Sequence, residues 1–319
     1  MIALRAQESL SAAPYSTYRI GGPIDRAYFP CSMNEAVDLL KGLDAVTVLG
    51  WGSNSLIASR GIRGDVLITR KMDWVESVSS TGLIFGAGVH LAKSAAAAQK
   101  VSLHGAEYMI GIPGTMGGAV RMNAGALGQE TAQVVQRVWV FERESKTVQV
   151  WSANECQFQY RHSALEPNKH IVLQVECEFA PGNLAEITQM MEGSIAFRKA
   201  HHPTEPNGGS VFKNPKPETA GALLDEMGAK SWTEGGVRVS PMHANFIVNT
   251  GEGTSTDVLR LMVRMKASVF ERHGLTLQPE NILMGDITEE EARLWSYLQR
   301  RDLSGIDVSE VPEFLRGLF

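Results

Sequence analysis

Six glycines fall within 18 residues of this chain: Gly111, Gly114, Gly117, Gly118, Gly125 and Gly128. With 31 glycines in 319 residues, about two would be expected in such a window. Glycine permits positive φ and removes the Cβ that keeps a ligand off the main chain. Successive free N–H groups in such a loop form a concavity for anionic oxygens, most often phosphates. A pair of tight turns would also use glycine. Here Pro113, Asn123 and the small Ala119, Ala124 and Ala126 extend the close-packing character beyond any single turn. A second glycine loop, Gly50-Trp51-Gly52-Ser53-Asn54-Ser55, closes the apolar run 45–50. Neither loop fits G-x-G-x-x-G opening a helix, and neither is a G-x-x-x-x-G-K-[ST] phosphate loop. A Rossmann nicotinamide site is therefore a poor fit. Together the loops imply a large diphosphate cofactor embraced by two subdomains.

Composition narrows the class. The 319 residues suffice for two or three domains, and 44% hydrophobic with 20% charged residues suits a globular protein. A net charge of −5 disfavours nonspecific nucleic-acid binding. No run approaches 18 apolar residues, which argues against membrane insertion, and the N-terminus lacks a signal-peptide apolar core. A cytoplasmic protein is expected. Cys31, Cys156 and Cys177 are odd in number, far apart and outside any zinc spacing, so they read as incidental thiols with no metal. His201-His202 reads as surface or loop.

The elements that must position these groups follow from period and caps. Residues 25–30, 45–50 and 64–69 read as strands, and Ser32 with Glu35 has capping-box spacing for a helix to about Lys41. A ligand loop after a strand end suits an α/β arrangement. The segment 91–100 is helical by alanine content. Strand-like runs at 82–89, 134–142, 147–152 and 170–180 suggest an antiparallel sheet, so this region is α+β. A helix over 184–200 carries the stripe Leu184, Ile187, Met191 and Ile195, expected in the core. Beyond the loop 201–215, a helix near 219–228, strands near 236–240 and 245–250, and a long amphipathic helix stopped by Gly274 follow. That helix's stripe is Val258, Met262, Met265 and Val269. The last 34 residues hold eight acids and four bases. Thr288 and Glu291 again have capping-box spacing, before Ala292, Trp295 and Leu298. A short helix and a loosely held end are expected there. The expected domains are 1–69 and 70–183 for the cofactor, 184–285 for substrate, and an acidic extension 286–319.

Seven motifs then occur in order: TYRIGG at 17–22, LGWGSNSL at 49–56, GIPGTMGGAVRMNAGA at 111–126, QYRHS at 159–163, GGSVFKNP at 208–215, VSPMHANFIVNTG at 239–251 and LQPENILMG at 277–285. In this order the chain resembles the UDP-N-acetylenolpyruvoylglucosamine reductases, over roughly 15–285. The resemblance implies a two-part FAD-binding region of the vanillyl-alcohol-oxidase type plus an α/β substrate-binding domain, within the α+β class. It implies FAD, with NADPH as reductant and UDP-N-acetylglucosamine enolpyruvate as substrate, in peptidoglycan precursor synthesis. Gly50, Trp51, Gly52, Ser53, Asn54 and Ser55 would lie at the FAD diphosphate. Gly111, Pro113, Gly114, Thr115, Gly117, Gly118, Asn123, Ala124 and Gly125 would line its adenine-ribityl side, with Arg19 and Gly21 as structural neighbours of the flavin. Between the family's two types, the short stretch from Ser163 to the helix at 184 favours the second, which lacks the tyrosine loop. Gln278 stands where an acid is common, Trp51 is bulky for its loop, and the extension is long for the family.

The chemistry of such a substrate fits these residues. An enol ether conjugated to a carboxylate can take hydride from flavin N5 at C3. Negative charge then spreads from C2 into the carboxylate, and stabilising developing charge is usually the largest catalytic contribution. Arg161 matches the family's catalytic arginine, whose fork suits a carboxylate. Ser210 matches the proton donor to C2 and Glu280 the catalytic glutamate. A carboxyl beside a developing anion helps when protonated or bridged, so a raised pKa is expected at Glu280. Lys213, Asn214 and Arg198 are candidates for substrate carboxylate or diphosphate. Left alone, such residues are ordinarily a surface ion pair, a turn cap and solvated charges. There is no G-x-S-x-G elbow for a hydrolase serine. Two other classes stay open on the residues alone: a flavin oxidase acting on an alcohol or sugar, and a non-catalytic nucleotide-binding module. The sequence leaves the oligomeric state open.

Overall fold

The computed structural model describes residues 5–304. It divides into two compact units. The first comprises Met1–Leu10, Asp25–Trp51 and Gly64–Ala200, and the second Ser11–Ile24, Gly52–Arg63 and His201–Phe319. The division falls at 200/201, and the second unit includes two N-terminal stretches along with the C-terminal region.

In the first unit the strand Val46–Leu49 runs parallel to Ile62–Ile68 and leads straight into the first glycine loop. The helix Met33–Gly42 is capped as its spacing requires: the Ser32 hydroxyl accepts from the Glu35 N–H, and Glu35 reaches back to the Cys31 N–H. The antiparallel sheet is present, five strands in the order Thr147–Ser152, Val135–Glu142, His170–Glu178, Gly82–Gly86, Val75–Ser77. Its inward positions, with the helices Leu91–Lys100 and Met116–Met122, build a core around Phe85, Val138, Val140 and Val175. This mixture of helix and largely antiparallel sheet bears out the α+β class.

The helix Leu184–His201 corrects one expectation. Ile187 and Met191 are buried, but Leu184 and Ile195 are about half exposed, at 52% and 49%. The inward line is Ile187, Met191, Ser194 and then Arg198, at spacings of i, i+4, i+7 and i+11. The face is rotated from the aliphatic stripe, and it ends in a guanidinium.

In the second unit a four-stranded antiparallel sheet runs Asn207–Ser210, Phe246–Asn249, Val237–Val239, Thr233–Glu234. The helix Ser255–His273 packs on it with Val258, Met262, Met265 and Val269 all buried, and stops at Gly274 in the left-handed region. The strand Ile282–Met284 pairs in parallel with Ser55–Ile57, so the chain before Ile282 lies beside the chain leaving the first glycine loop. The helix Glu289–Gln299 is capped by Thr288 with Glu291, but its inner face is Glu291, Leu294, Tyr297 and Leu298. Ala292 is exposed and Trp295 partly buried. Because these residues belong to the second unit's core, the extension is firmly held as far as Ser304. Residues 305–319 of the expected loose end lie outside the described residues.

All three cysteines are free, Cys31 exposed and the other two buried. His201 is exposed, whereas His202 is half-buried against the Phe246 ring at 5.0 Å. Among the described residues no group of three or more His, Cys, Asp or Glu is arranged to hold a metal, and no helix is long and apolar enough to cross a membrane.

Candidate active site

The first glycine loop has a polarity built into its hydrogen bonds. The carbonyls of Gly50, Trp51, Gly52 and Asn54 are taken. Arg70 donates from Nε to the Gly50 carbonyl and from Nη2 to that of Trp51, both at 3.2 Å, while its guanidinium lies 4.5 Å from the Trp51 ring. Thr17 donates to the Gly52 carbonyl at 3.3 Å, and Ile282 to that of Asn54 at 2.9 Å. The N–H groups of Gly52, Ser53 and Asn54 meet no acceptor among the described residues. Gly52 is buried, with φ +63°, and a Cβ there would overlap the Tyr15 carbonyl. Buried N–H groups are ordinarily paired. Three unpaired N–H groups in succession, the first buried and the next two half-buried, on a loop most of whose carbonyls are held in protein bonds, suit the anionic oxygens of a diphosphate.

The second glycine segment opens on a turn and enters the helix Met116–Met122, capped by the Thr115 hydroxyl, which accepts from the Gly118 N–H at 3.3 Å. Three of its six glycines answer to protein packing rather than to ligand approach. A Cβ on Gly111 would strike the Arg198 side chain, one on Gly117 would sit 3.1 Å from Ala87, and one on Gly125 would overlap the Gln129 carbonyl. Gly50 likewise faces the Thr115 hydroxyl, 2.7 Å from where a Cβ would stand. Gly118 differs: it is exposed, and a Cβ there would meet only Thr115 Oγ1, at 3.5 Å. Gly114 is buried at φ +141° and Pro113 is exposed. Ala124 is part of the scaffold, its carbonyl accepting from Thr131 at 2.8 Å.

Asn123 ends the helix in the left-handed region at φ 42°. Its side chain is spent on the protein: Nδ2 donates to the Gln159 carbonyl at 3.1 Å, and Oδ1 accepts from the Ala132 N–H at 2.9 Å. The first of these bonds holds the turn that carries Arg161. Gln159 and His162 exchange backbone hydrogen bonds of 3.0 and 3.1 Å, and the Ser163 hydroxyl donates to the Arg121 carbonyl at 2.8 Å. Arg161 itself sits at φ 53°, half-buried, donating to the Gly125 carbonyl at 2.9 Å and lying 5.1 Å from the Tyr160 ring. Arg198 has its stem over Gly111 and makes no side-chain hydrogen bond to the described residues. Burial holds its pKa below the usual arginine range.

The second unit brings Ser210 and Glu280 together. Past the strand Asn207–Ser210, Phe212 bridges Pro279, the Glu280 N–H donates to the Val211 carbonyl at 2.8 Å, and the Lys213 N–H to the Gln278 carbonyl at 2.9 Å. Ser210 and Glu280 are both half-buried. Lys213 is half-buried and Asn214 exposed, with Asn214 Oδ1 accepting from the Ala220 N–H at 3.1 Å. Arg161 belongs to the first unit. Arg19 is exposed at φ 54°, and Gly21, at φ +144°, is pressed between Ala12 and Ile57.

Sequence reasoning missed Arg70, which grips the first loop, and Tyr18 and Asn281, which are buried behind Ser210 and Glu280. Arg70 gave no local signal. Asn281 did: an amide next to Glu280, just before an apolar strand, sits where a hydrophobic residue would serve a purely packing role.

These features define an FAD-binding flavoprotein oxidoreductase. Residues 28–150 match the FAD binding domain family, and residues 201–284 match the C-terminal domain of UDP-N-acetylenolpyruvoylglucosamine reductase. The reductase so named from Carboxydothermus hydrogenoformans is 39% identical over 88% of this chain and 94% of its own length. That of a Synechococcus species is 38% identical over 86% and 91%. The crystal structure of the Thermus caldophilus enzyme superposes with a TM-score of 0.76 at 32% identity, covering 88% of this chain and 99% of that one. The chain belongs to the UDP-N-acetylenolpyruvoylglucosamine reductase family, enzymes of peptidoglycan precursor synthesis, and its cofactor is FAD.

Proposed function

We propose that this protein reduces UDP-N-acetylglucosamine enolpyruvate to UDP-N-acetylmuramate with electrons from NADPH. FAD held by the two glycine segments would supply the electron pair to the substrate, as hydride at C3. The observation that carries this reading is the backbone pairing of 211–212 with 279–280, which puts the Ser210 hydroxyl and the Glu280 carboxyl on neighbouring segments.

The unpaired N–H groups of the 52–54 loop would hold the diphosphate of FAD, with Gly118 and its neighbours along the rest of the cofactor. Arg161 would fork onto the substrate carboxylate as charge develops there. Ser210 would give its proton to C2. A serine hydroxyl is a weak acid, so it needs an anionic acceptor in front and a proton source behind. Glu280 would steady the developing charge from a protonated or bridged carboxyl. Arg198, Lys213 and Asn214 would bind the substrate's charged groups. Arg198 suits that task because an unsatisfied, desolvated guanidinium gains much from an anion. The second family type fits, since the chain from Ser163 passes through His170–Glu178 directly into the helix at Leu184. Three free thiols agree with a reducing, cytoplasmic setting.

The test follows the flavin colour. The purified protein is expected to be yellow, to bleach with NADPH and to recover on addition of the enolpyruvyl sugar. Ser210→Ala is expected to keep the bleaching step and to slow the recovery by about a hundredfold or more. Oxygen-driven turnover of an alcohol, without response to the sugar nucleotide, would replace this reading with that of an oxidase.

A further inference from the structure

Behind Ser210 and Glu280 lies a buried amide whose orientation is fully determined. Asn281 is 2% exposed and Tyr18 is fully buried. Asn281 Nδ2 donates to the carbonyls of Gly208 and Ser210 at 2.8 and 3.3 Å. Carbonyls only accept, so the amide cannot face the other way. Its Oδ1 therefore points at the Tyr18 hydroxyl, which must donate, at 2.8 Å. Nδ2 also reaches Asn54 Oδ1 at 3.0 Å, which fixes the second amide in turn: Asn54 Nδ2 donates to the Glu280 carbonyl at 2.9 Å. Tyr18 is itself anchored. Its carbonyl accepts from Asn249 at 2.9 Å, and its ring fills the place a Cβ on Gly208 would take.

We propose that Asn281, oriented by the Tyr18 phenol, is a positioning residue that sets Ser210 against Glu280 and ties both to the 52–54 loop. The proposal rests on the roles given above to Ser210 and Glu280. One amide thus joins three backbone segments. Three oxygens meet at its Nδ2: the Gly208 and Ser210 carbonyls of one segment and the Asn54 side-chain oxygen of another. Without the Nδ2 hydrogens those oxygens repel, and the segments must part. A displacement of about 1 Å at a reacting group can cost about a hundredfold in rate. The phenol acts one step back: with no donor facing Oδ1, the amide is free to turn and present an oxygen to the two carbonyls.

The experiment compares Asn281→Asp, Tyr18→Phe and Ser210→Ala with the parent holoenzyme. Asn281→Asp nearly preserves shape while removing every Nδ2 donor, and Tyr18→Phe removes one hydroxyl. Each protein is reduced with dithionite and mixed with the enolpyruvyl sugar nucleotide, and flavin reoxidation is followed by absorbance. The limiting rate is expected to fall about a hundredfold in Asn281→Asp and about tenfold in Tyr18→Phe, with half-saturation shifted less than about threefold. Because Asn54 loses its tie, FAD titrated into the Asn281→Asp apoprotein is expected to bind about tenfold more weakly. An amide with a merely structural task would lower the melting temperature and leave the limiting rate and FAD affinity of the folded protein unchanged. That result in both variants overturns the proposal. Should Asn281→Asp not fold, Tyr18→Phe decides alone. A parental rate in Ser210→Ala would instead overturn the assignment of Ser210, and the proposal with it.

Discussion

At Gly118 the two reasons for a bare backbone can be separated. Gly50 and Gly117 are forced by neighbours at 2.7 and 3.1 Å from a would-be Cβ, but Gly118 has ordinary room, with Thr115 Oγ1 at 3.5 Å. It also lies inside the helix Met116–Met122, where alanine is favoured over glycine by roughly 0.5–1 kcal/mol. As far as the protein alone is concerned, Gly118→Ala should raise the melting temperature. If the surface there must admit the cofactor, the same change should weaken FAD binding by about tenfold, or about 1.4 kcal/mol. Gly50→Ala should do the reverse to stability, losing about 1–3 kcal/mol through overpacking. Thermal melts and apoprotein titrations of the pair check both. Unchanged FAD affinity in Gly118→Ala would assign the whole glycine demand to packing.

Two helices depend on side chains that titrate. The helix Glu289–Gln299 ends on Lys266 of the helix Ser255–His273, whose ammonium donates to the carbonyls of Leu298 and Arg300, both at 2.6 Å. Those carbonyls are among the orphans of a helix end. Burial, helped by the nearby Arg300 charge, pulls the Lys266 pKa from 10.5 down to about 8. Between these values the unfolded chain holds a proton that the folded chain has released, so this lysine's contribution to stability rises with pH and is flat below about 8. Urea midpoints from pH 7 to 10.5 should therefore climb less in Lys266→Met than in the parent. Equal slopes would mean that the amine titrates alike in both states. At the other pH extreme stands His90, which caps the helix Leu91–Lys100 by accepting the Ala92 N–H at Nδ1, 3.2 Å away. Only an unprotonated nitrogen can accept, and burial lowers its pKa from 6.5. This cap is in place above 6.5 and is lost as pH falls through the lower folded value. His90→Asn, which caps without titrating, should flatten the loss of stability between pH 7 and 5.

On the scale of the whole molecule, what was legible in the sequence was local. Ser32 and Thr288 announced their helices through residues three positions on, and the alanine run 91–100 became the helix Leu91–Lys100. The glycine loops pointed to a diphosphate cofactor because a demand for bare backbone is itself local, and it was the resemblance carried by the ordered motifs that implied FAD. What stayed hidden was pairing at a distance. Tyr18 meets Asn281 across 263 positions, and Ser210 meets Asn281 across 71. No period or cap records such contacts. The stripe on Leu184–His201 misled for a related reason: the side that packs is chosen by what lies opposite, and Arg198 over Gly111 is part of that choice. The acidic extension is the largest case. A short helix was expected there, but its caps did not tell what it packs against: Leu294, Tyr297 and Leu298, with Leu303 beyond it, are buried in the second unit's core, and Glu291 is buried in hydrogen bonds with Ser255 and Thr256. Four such apolar side chains at roughly 1.5–3 kcal/mol each amount to a domain's typical net stability. A chain stopped after Gly285 should therefore lose its second core. It is expected to be recovered insoluble or to melt at least about 15 °C below the parent, with FAD retention lost together with the 52–54 loop that this core supports. A truncated protein that melts with the parent and stays yellow would show that the extension only decorates the core.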